Sequence, residues 1–451
     1  MSKIRLHGSS SGYTEIAPVA ASGNNTLTLP NDGTIISKDS NGAVGVTSVV
    51  TTTATITTAK VGAAVTISES GIEASGIGIT VANINGTQIG GRKNLIINGD
   101  MRVAQRNTSS NSTGFVSVDR MSQQHSGTDE APSYAQVDVS SGTTPYTLGF
   151  RKAFKITNGD QTSGAGSSDY VYWWTILEAQ DVSNSGWNYT SASSFITLSF
   201  WINSSVAQNF YGRFYSYDGT AQGFAFETGS LTAGEWKKVT VTIPGNSNLT
   251  FDDDVNSGLL LEISAFRGTG GTGSMTLNQW GAYNSNIRTP DQTSTWYTTN
   301  DATLEVTGVQ LEVGSQATPF EHRTLQEEYL NCLRYYQVYG SSGNGNTFQD
   351  LRPIGHSAST VEIMTDFRGV AMRSAPTITF NGNLNIRGCA SSYSDTGVTL
   401  SGNNFLRASD GVSFTGHFWV APSSGSPFVA CQGGRVTGAS NGASIEFKSE
   451  L

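Results

Sequence analysis

The sequence predicts an all-β protein, and two observations lead to that prediction: its composition and the spacing of its apolar residues. Of 451 residues, 52 are glycine and only 14% are charged, whereas an average chain has roughly 7% glycine and about 25% charge. Glycine costs a helix about 1 kcal/mol relative to alanine, and an aromatic content of 10% argues against disorder. Several runs place an apolar residue at every second position, which is the period of a half-buried strand.

Residues 1–93 are predicted to form a virion-attachment and β-rich fibre or stem region. They contain one aromatic residue, Tyr13, and short β-branched runs separated by Gly, Ser, Asn and Asp, which indicates strands and turns. One copy of such a segment buries too little apolar surface, at about 25 cal/mol per Å², to offset roughly 1.5 kcal/mol per ordered residue. Burial shared between chains changes that balance, so we expect a homotrimer. The alternative is a low-complexity linker.

Residues 94–320 are predicted to form an antiparallel β-sandwich. Seven of the eight tryptophans lie between Trp173 and Trp296, and the strands that alternate are joined by short Gly, Asn and Asp turns. The side chains expected to point into the core are Ile196, Leu198, Phe200, Ile202, Val239, Val241, Ile243, Leu259, Leu261, Ile263 and Ala265.

Residues 321–345 are predicted to form one short helix and a linker. Thr324 and Glu327 have the spacing of a capping box, and an apolar stripe follows: Leu325, Tyr329, Cys332, Leu333 and Tyr336. Residues 346–451 return to β patterning and are predicted to form a C-terminal β tip and trimerisation domain. Its aromatic residues form either an inter-chain core or a receptor-binding surface, and they are Phe405, Phe414, Phe418, Trp419 and Phe428.

Composition and motifs exclude several function classes. A net charge of −9 disfavours binding to nucleic acid or to an acidic membrane. No run of 18 apolar residues occurs and no apolar segment follows the opening residues, so neither a membrane span nor a secretory signal is expected. The three cysteines have no metal-ligand spacing, which predicts neither a zinc site nor a disulfide framework and fits assembly in a reducing cytosol. Because no nucleophile elbow, HExxH, Walker or dinucleotide motif appears, no catalytic residue and no cofactor is predicted.

Two long segments resemble the two ends of a domain found in bacteriophage tail fibres. Residues 93–106, KNLIINGDMRVAQR, resemble its opening segment. Residues 306–321, VTGVQLEVGSQATPFE, resemble its closing segment and lead into CLRYY at 332–336. At the N-terminus, GSSSGY (8–13) and NNTLTLP (24–30) are similar to the start of fibre and appendage proteins of marine and cyanobacterial phages.

The resemblance implies a homotrimeric tail fibre or other virion adhesin that is assembled in the host cytoplasm. Its N-terminus would join other virion proteins, and its C-terminal side would meet a host-surface polysaccharide. The central domain resembles a jelly-roll carbohydrate-binding module. Some such modules hold a structural calcium, and Asn98, Gly99 and Asp100 match part of that site, but Val309 and Gln310 stand where an acidic ligand is expected. No metal is therefore predicted.

Two other functions remain open at this point: a capsid-bound head fibre or cement protein, and a tailspike-type polysaccharide depolymerase. A depolymerase needs two carboxyl groups about 5–9 Å apart, and its candidates are Glu178, Glu262, Glu305 and Glu312. The aromatic sandwich favours binding over cleavage. The acidic run 252–254 fits either a calcium site or a solvated turn, and the turn is the favoured interpretation.

The candidate glycan-binding residues lie on the run 210–217. Alternation places Tyr211, Arg213, Tyr215 and Tyr217 on one face, opposite Phe210 and Phe214. Trp201 joins that face if its strand belongs to the same sheet. Flat rings can stack on the C–H face of a sugar while Arg213 and the tyrosine hydroxyls hydrogen-bond its rim. The alternative is that these rings pack beneath a loop or against another subunit.

Overall fold

A computed structural model describes most of the chain beyond residue 92. The described residues are 4–7, 13–16, 58–61, 65–68, 71–74, 83–84, 87–88, 93–340, 348, 351–365, 367–387, 396–407, 414–422, 433–438 and 443–451. Cys389, Cys431 and Phe428 lie outside them, as does most of the predicted stem. Two compact units are present, residues 1–80 and residues 81–451.

The described residues of the first unit form two small antiparallel sheets. Strands β1 (Ile4–His7) and β2 (Tyr13–Ile16) form one pair. Strands β3 (Thr58–Val61), β4 (Val65–Ser68) and β5 (Gly71–Ala74) form a three-stranded sheet. Apart from these strands and residues 83–84, 87–88 and 93, the predicted stem lies outside the described residues, so the fibre and the trimer stay predictions.

The second unit begins with the hairpin β6 (Asn83–Ile84) and β7 (Thr87–Gln88) and continues into two six-stranded antiparallel sheets. The front sheet has the order β18-β15-β14-β17-β12-β9 and the back sheet the order β16-β13-β19-β11-β10-β8. Their strands are β8 (Ser109–Ser110), β9 (Ser122–Ser126), β10 (Ser133–Asp138), β11 (Lys152–Thr157), β12 (Tyr170–Glu178), β13 (Phe195–Ser204), β14 (Tyr211–Ser216), β15 (Gln222–Glu227), β16 (Lys237–Pro244), β17 (Ser257–Arg267), β18 (Trp280–Ala282) and β19 (Thr303–Val313).

The core lies between these two sheets. All the side chains that alternation placed inward on β13, β16 and β17 are buried in one cluster, together with Trp173, Phe210 and Phe214, which are fully inaccessible. Successive strand residues point to opposite faces of a sheet. The residues between these buried positions therefore point to the outer faces of the sandwich. The predicted antiparallel β-sandwich is confirmed.

The opening and closing segments of this domain lie side by side. Leu95 N–H donates to Leu311 O at 2.9 Å, and Val309 N–H donates to Gly99 O at 2.8 Å. The backbones approach so closely that a Cβ on Gly99 would lie 2.1 Å from Val309 O. The Glu321 carboxylate then accepts the backbone N–H of Asn94 at 2.8 Å. These contacts explain the glycine at position 99, since every other residue carries a Cβ.

Three short helices accompany the sheets: α1 (Thr144–Thr147), α2 (Ala179–Ser183) and α3 (Leu325–Leu333). The predicted capping box of α3 is confirmed, with Glu327 N–H donating to Thr324 Oγ1 at 3.2 Å and Thr324 N–H donating to Glu327 Oε2 at 2.7 Å. The stripe is only partly buried, because Leu325 is 51% exposed and Tyr336 begins a strand instead of extending the helix. None of the described helices is long and apolar enough to cross a bilayer.

The C-terminal region forms a small, nearly closed barrel beside a three-stranded sheet. The barrel order is β21-β22-β26-β25-β24-β27, and a bridge between Ile354 and Gly433 brings its two edges together. The flanking sheet has the order β20-β28-β23. These strands are β20 (Tyr336–Gly340), β21 (Arg352–Ser357), β22 (Thr360–Thr365), β23 (Thr377–Asn381), β24 (Leu384–Arg387), β25 (Thr396–Arg407), β26 (Phe414–Pro422), β27 (Arg435–Gly438) and β28 (Ser444–Lys448).

The residues after β28 return to the sandwich. The Glu450 carboxylate accepts hydrogen bonds from Arg106 at 2.9 Å and from Arg120, and the Arg120 guanidinium lies 3.5 Å from the centre of the Tyr335 ring. Arg120 is only 2% exposed. Arg106 and Arg120 therefore join the start of the sandwich to the C-terminal region, through a residue more than 300 positions away.

Candidate functional site

The outer face of the front sheet carries a band of aromatic and charged side chains. Strand β14 contributes Tyr211, Arg213 and Tyr215, because its alternate residues Gly212 and Phe214 face the core. Arg213 stands opposite Glu262 of β17. Neighbouring β12 adds half-buried rings on the same face: Tyr170, Tyr172 and Trp174.

The rings contact one another in two groups. Tyr215 lies edge-on to Tyr217 and Tyr283, with ring centroids 4.7 and 4.4 Å apart. On the other side of the sheet centre, the centroids of Tyr170 and Tyr172 are 5.1 Å apart. Tyr217 is 38% exposed, and the other four rings are half-buried. Such edge contacts fix ring orientation and leave ring surface available to a ligand.

Beneath the rings, one carboxylate is shared by two guanidinium groups. Glu262 is fully buried, and its Oε2 accepts from Arg213 Nε at 2.9 Å and from Arg213 Nη2 at 2.7 Å. Its Oε1 accepts from Arg267 Nη2 at 2.5 Å and from Ser264 Oγ at 2.9 Å. Burial raises the pKa of Glu262, but the charges and hydrogen bonds of Arg213 and Arg267 outweigh that effect and lower it to about 2. The carboxylate is therefore ionised at neutral pH and is unsuited to donate a proton.

A β-bulge brings Arg267 to this face. Positions 262 and 267 differ by an odd number, so a regular strand would point their side chains in opposite directions. The register between β12 and β17 shifts between Val171, paired with Phe266, and Tyr172, paired with Ser264, and leaves Ala265 without an opposite residue. The extra residue restores Arg267 to the outer face. Bulges commonly re-aim a side chain beside a functional site.

Each arginine keeps one buried donor without a partner. Arg213 Nη1 and Arg267 Nε make no hydrogen bond although both side chains are at least nine-tenths buried. The Arg267 guanidinium carbon lies 4.6 Å from the centre of the Tyr172 ring, and that of Arg213 lies 5.6 Å from the Tyr283 ring. An unpaired buried donor costs free energy, and a ligand acceptor would remove that cost.

A pocket of about 310 Å³ opens at the Arg213 end of the face, within the size range of small-ligand sites. Its floor is formed by the paired glycines Gly223 and Gly281, and a Cβ on Gly281 would meet no atom within 4 Å. The walls come from the segment after β17 and include Trp280, Tyr283 and Arg288. The two glycines thus leave the space that the pocket occupies.

Trp201 does not join this face. Its strand β13 belongs to the back sheet and β14 to the front sheet, so the condition for grouping Trp201 with Tyr211, Arg213, Tyr215 and Tyr217 is not met. Trp201 instead packs with Trp236 and Phe320 around a small cluster on the other side of the sandwich. The other four predicted residues do lie together.

The carboxylates considered for catalysis or for calcium have partners of their own. Glu178 accepts from Arg334 Nε and Tyr335 Oη, both at 2.6 Å, and Glu312 accepts from Thr318 Oγ1 at 2.6 Å. Glu305 contacts Lys155 at 3.8 Å. In the acidic run, Asp254 Oδ1 accepts Asn256 N–H within a turn, as expected of a solvated turn.

Asn98, one of the residues matched to the family's calcium site, hydrogen-bonds the backbone. The Asn98 carboxamide oxygen accepts Val103 N–H and its amide donates to Val103 O, both at 2.9 Å. Among the residues that the structure describes, no three carboxylate, histidine or cysteine side chains gather as a metal site would require.

Sequence reasoning missed Glu262 as a partner of Arg213, and it missed Arg267, Tyr283 and Arg288 altogether. Only the pairing of β14 with β17 places Glu262 beside Arg213, and only the bulge re-aims Arg267. The segment 274–288 is largely loop, which has no period to interpret. A weak signal was the Tyr-x-Tyr spacing at 170 and 172, which puts two rings on one face.

Comparison with known proteins yields distant structural similarity only. No protein-family model and no curated protein matches the sequence. A tailspike protein 4 domain of bacteriophage CBA120 is 8% identical over 49% of this chain and 21% of its own, with a TM-score of 0.26. A cellulose-binding domain from Cellulomonas fimi is 12% identical over 48% of this chain and 99% of its own, with a TM-score of 0.22.

A family 11 carbohydrate-binding module from Clostridium thermocellum is also similar, at 12% identity over 46% of this chain and 96% of its own, with a TM-score of 0.21. This chain thus spans about a fifth of the tailspike domain and nearly all of the two binding modules. At these TM-scores, none of the matches assigns a fold family or a residue role to this chain.

Proposed function

We propose that this chain is a structural glycan-binding protein and that the front-sheet face holds the sugar. The observation that carries the proposal is the band of half-buried tyrosine rings over the Arg213–Glu262–Arg267 triad, which keeps an unpaired donor of Arg213 next to a pocket. A sugar ring needs both kinds of contact, because its C–H faces stack on aromatic rings and its hydroxyl groups require hydrogen bonds. A purely structural packing role does not require unpaired buried donors.

The finer role that we propose is a trimeric adhesin of a phage tail fibre. It rests on the tail-fibre resemblance of residues 93–106 and 306–321, and on the stem argument for shared burial. One site would be weak, since each ring adds on the order of 0.5–1.5 kcal/mol, and three sites per fibre would raise the avidity by orders of magnitude. Light scattering should report about three times the 47.7 kDa of one chain; a mass near one chain would refute the trimer.

Affinity electrophoresis through gels that contain host-envelope polysaccharide tests glycan binding directly. We expect the polysaccharide to retard the protein, and Tyr215→Ala and Tyr283→Ala each to weaken binding roughly two- to tenfold. Tyr146→Ala is the matched control, because Tyr146 is also half-buried and stacked on an arginine, at 4.0 Å, but lies in the Trp201 cluster. Equal retardation of all variants would remove the front face from the binding role. Release of oligosaccharides during incubation would replace binding with cleavage.

A further inference from the structure

The pocket beside Arg213 has a charge opposite to that of the protein. The chain has 35 acidic and 26 basic side chains, yet among the described residues the pocket is lined by two arginines, Arg213 and Arg288, and by no carboxylate. The remaining polar lining consists of uncharged donors and acceptors: Ser274, Thr276, Gln279 and Asn284. A neutral sugar would need only such uncharged groups and the rings.

The buried triad does not cancel its own charge. One carboxylate, Glu262, faces two guanidinium groups, which leaves one positive charge in a region of low dielectric. Arg288 adds a second, since its Nε donates to Ser285 O at 3.0 Å and it has no ion pair within the described residues. On the same face, Glu227 lies at the far end of β15, where it is exposed and accepts a hydrogen bond from Asn209 at 2.7 Å.

We propose that this pocket binds the carboxylate of an acidic sugar, such as a uronic acid within a host polysaccharide. The carboxylate would accept from Arg288, and the uncancelled positive charge of the buried triad would attract it. The sugar ring would lie over the glycines Gly223 and Gly281 against Tyr283. This inference rests on the proposed glycan binding and specifies its substrate class. Charge-assisted hydrogen bonds to a guanidinium are stronger than neutral ones, so the carboxylate would dominate recognition.

The test compares acidic polysaccharides with their own neutral derivatives. The full chain is run through gels containing alginate, polygalacturonate or hyaluronan, through the same polymers after chemical reduction of their carboxyl groups, and through dextran and mannan. We expect retardation by at least one acidic polymer and its loss after carboxyl reduction. Non-specific attraction of a polyanion is disfavoured because the protein carries a net charge of −9.

Two arginine variants place the effect in the pocket. Arg288→Gln removes a half-exposed side chain and should weaken binding at least about tenfold. Arg151→Gln is the matched control, since Arg151 also donates to backbone carbonyl oxygens but lies beside Tyr146 in the Trp201 cluster, and it should bind as the unmodified chain does. Gly281→Trp should fill the pocket and abolish binding without touching a charge.

The outcomes separate this inference from the proposed function. Retardation by the neutral or reduced polymers that equals retardation by the acidic ones would overturn the acidic-sugar inference and leave glycan binding intact. Equal binding by Arg288→Gln and the unmodified chain would also overturn it. If none of the polymers, acidic or neutral, and no host-envelope polysaccharide retards the protein, glycan binding itself fails.

Discussion

Replacing Glu262 by glutamine should destabilise the sandwich by an amount that depends on pH. The pKa of Glu262 is lowered from 4.5 to about 2, a difference that corresponds to about 3 kcal/mol of folding free energy. Because the folded protein binds this proton more weakly, the contribution is complete above pH 4.5 and is lost as the pH falls from about 4.5 to about 2. Glu262→Gln should therefore be about 3 kcal/mol less stable than the unmodified chain at pH 7 and nearly equal to it at pH 2.

The assay is urea unfolding of both proteins between pH 7 and pH 2, with the difference between them plotted against pH. Taking the difference removes Asp100 and Asp119, whose pKa values are raised by burial to about 6 and which therefore stabilise the folded state as the pH falls from about 6 to 3.8. Glu235→Gln, at an exposed position, should change stability by less than about 0.5 kcal/mol. A Glu262→Gln difference below about 1 kcal/mol at pH 7, or one that does not change with pH, would refute this reasoning.

A variant of the same triad can distinguish its contribution to folding stability from its contribution to polysaccharide binding. Replacing it entirely with apolar residues, as Arg213→Met, Glu262→Leu and Arg267→Met together, removes all three buried charges. Such replacements of buried ion pairs are often neutral or stabilising by about 1–4 kcal/mol. The triple variant should therefore unfold at or above the urea concentration of the unmodified chain and yet lose polysaccharide binding. A triple variant that still binds would show that the triad serves only the fold.

Three further predictions concern other parts of the second unit. Gly99→Ala should lower the unfolding temperature by several degrees or prevent folding, because its Cβ would collide with Val309 O. In the control variant Gly281→Ala the new Cβ meets no atom within 4 Å, and stability should shift by less than about 0.5 kcal/mol. Equal unfolding temperatures of the two variants would contradict the close approach of Gly99 to Val309. Glu450→Gln weakens the acceptor of two arginines and should split the calorimetric transition of residues 81–451 into two, and a single unshifted transition would count against this junction. Trp201→Ala should leave polysaccharide binding unchanged once folding is confirmed by circular dichroism, and a loss of binding would move the site to the back sheet.

The strands of the core were predictable because buried and exposed positions alternate between residues that are adjacent in the sequence. Ile196 and Leu198 alternate with polar residues, and so do Val239 and Val241, so period two was enough to identify the buried face. The same rule grouped Tyr211, Arg213 and Tyr215. The alternation rule depends only on the geometry of one extended strand, and the residues of one strand are consecutive in the sequence.

The rest of the site depends on contacts between distant positions. Trp201 lies in the back sheet because β13 pairs with β16 and β19. The sequence of one strand does not show which strands it pairs with. The bulge at Ala265 reverses the parity that would have kept Arg267 away from Glu262. No local period marks a bulge, so the most chemically informative residue of the face was also the least predictable.

The contact between Arg120 and Glu450 sets an order of events during synthesis. The two residues are separated by 330 positions, which a ribosome needs roughly 20–60 s to translate at about 5–20 residues per second. During that interval the nascent sandwich contains Arg120, but Glu450 has not been translated. The junction can therefore close only after translation has passed position 450. Before then Arg120 can donate to Ile176 O but has no carboxylate partner in Glu450.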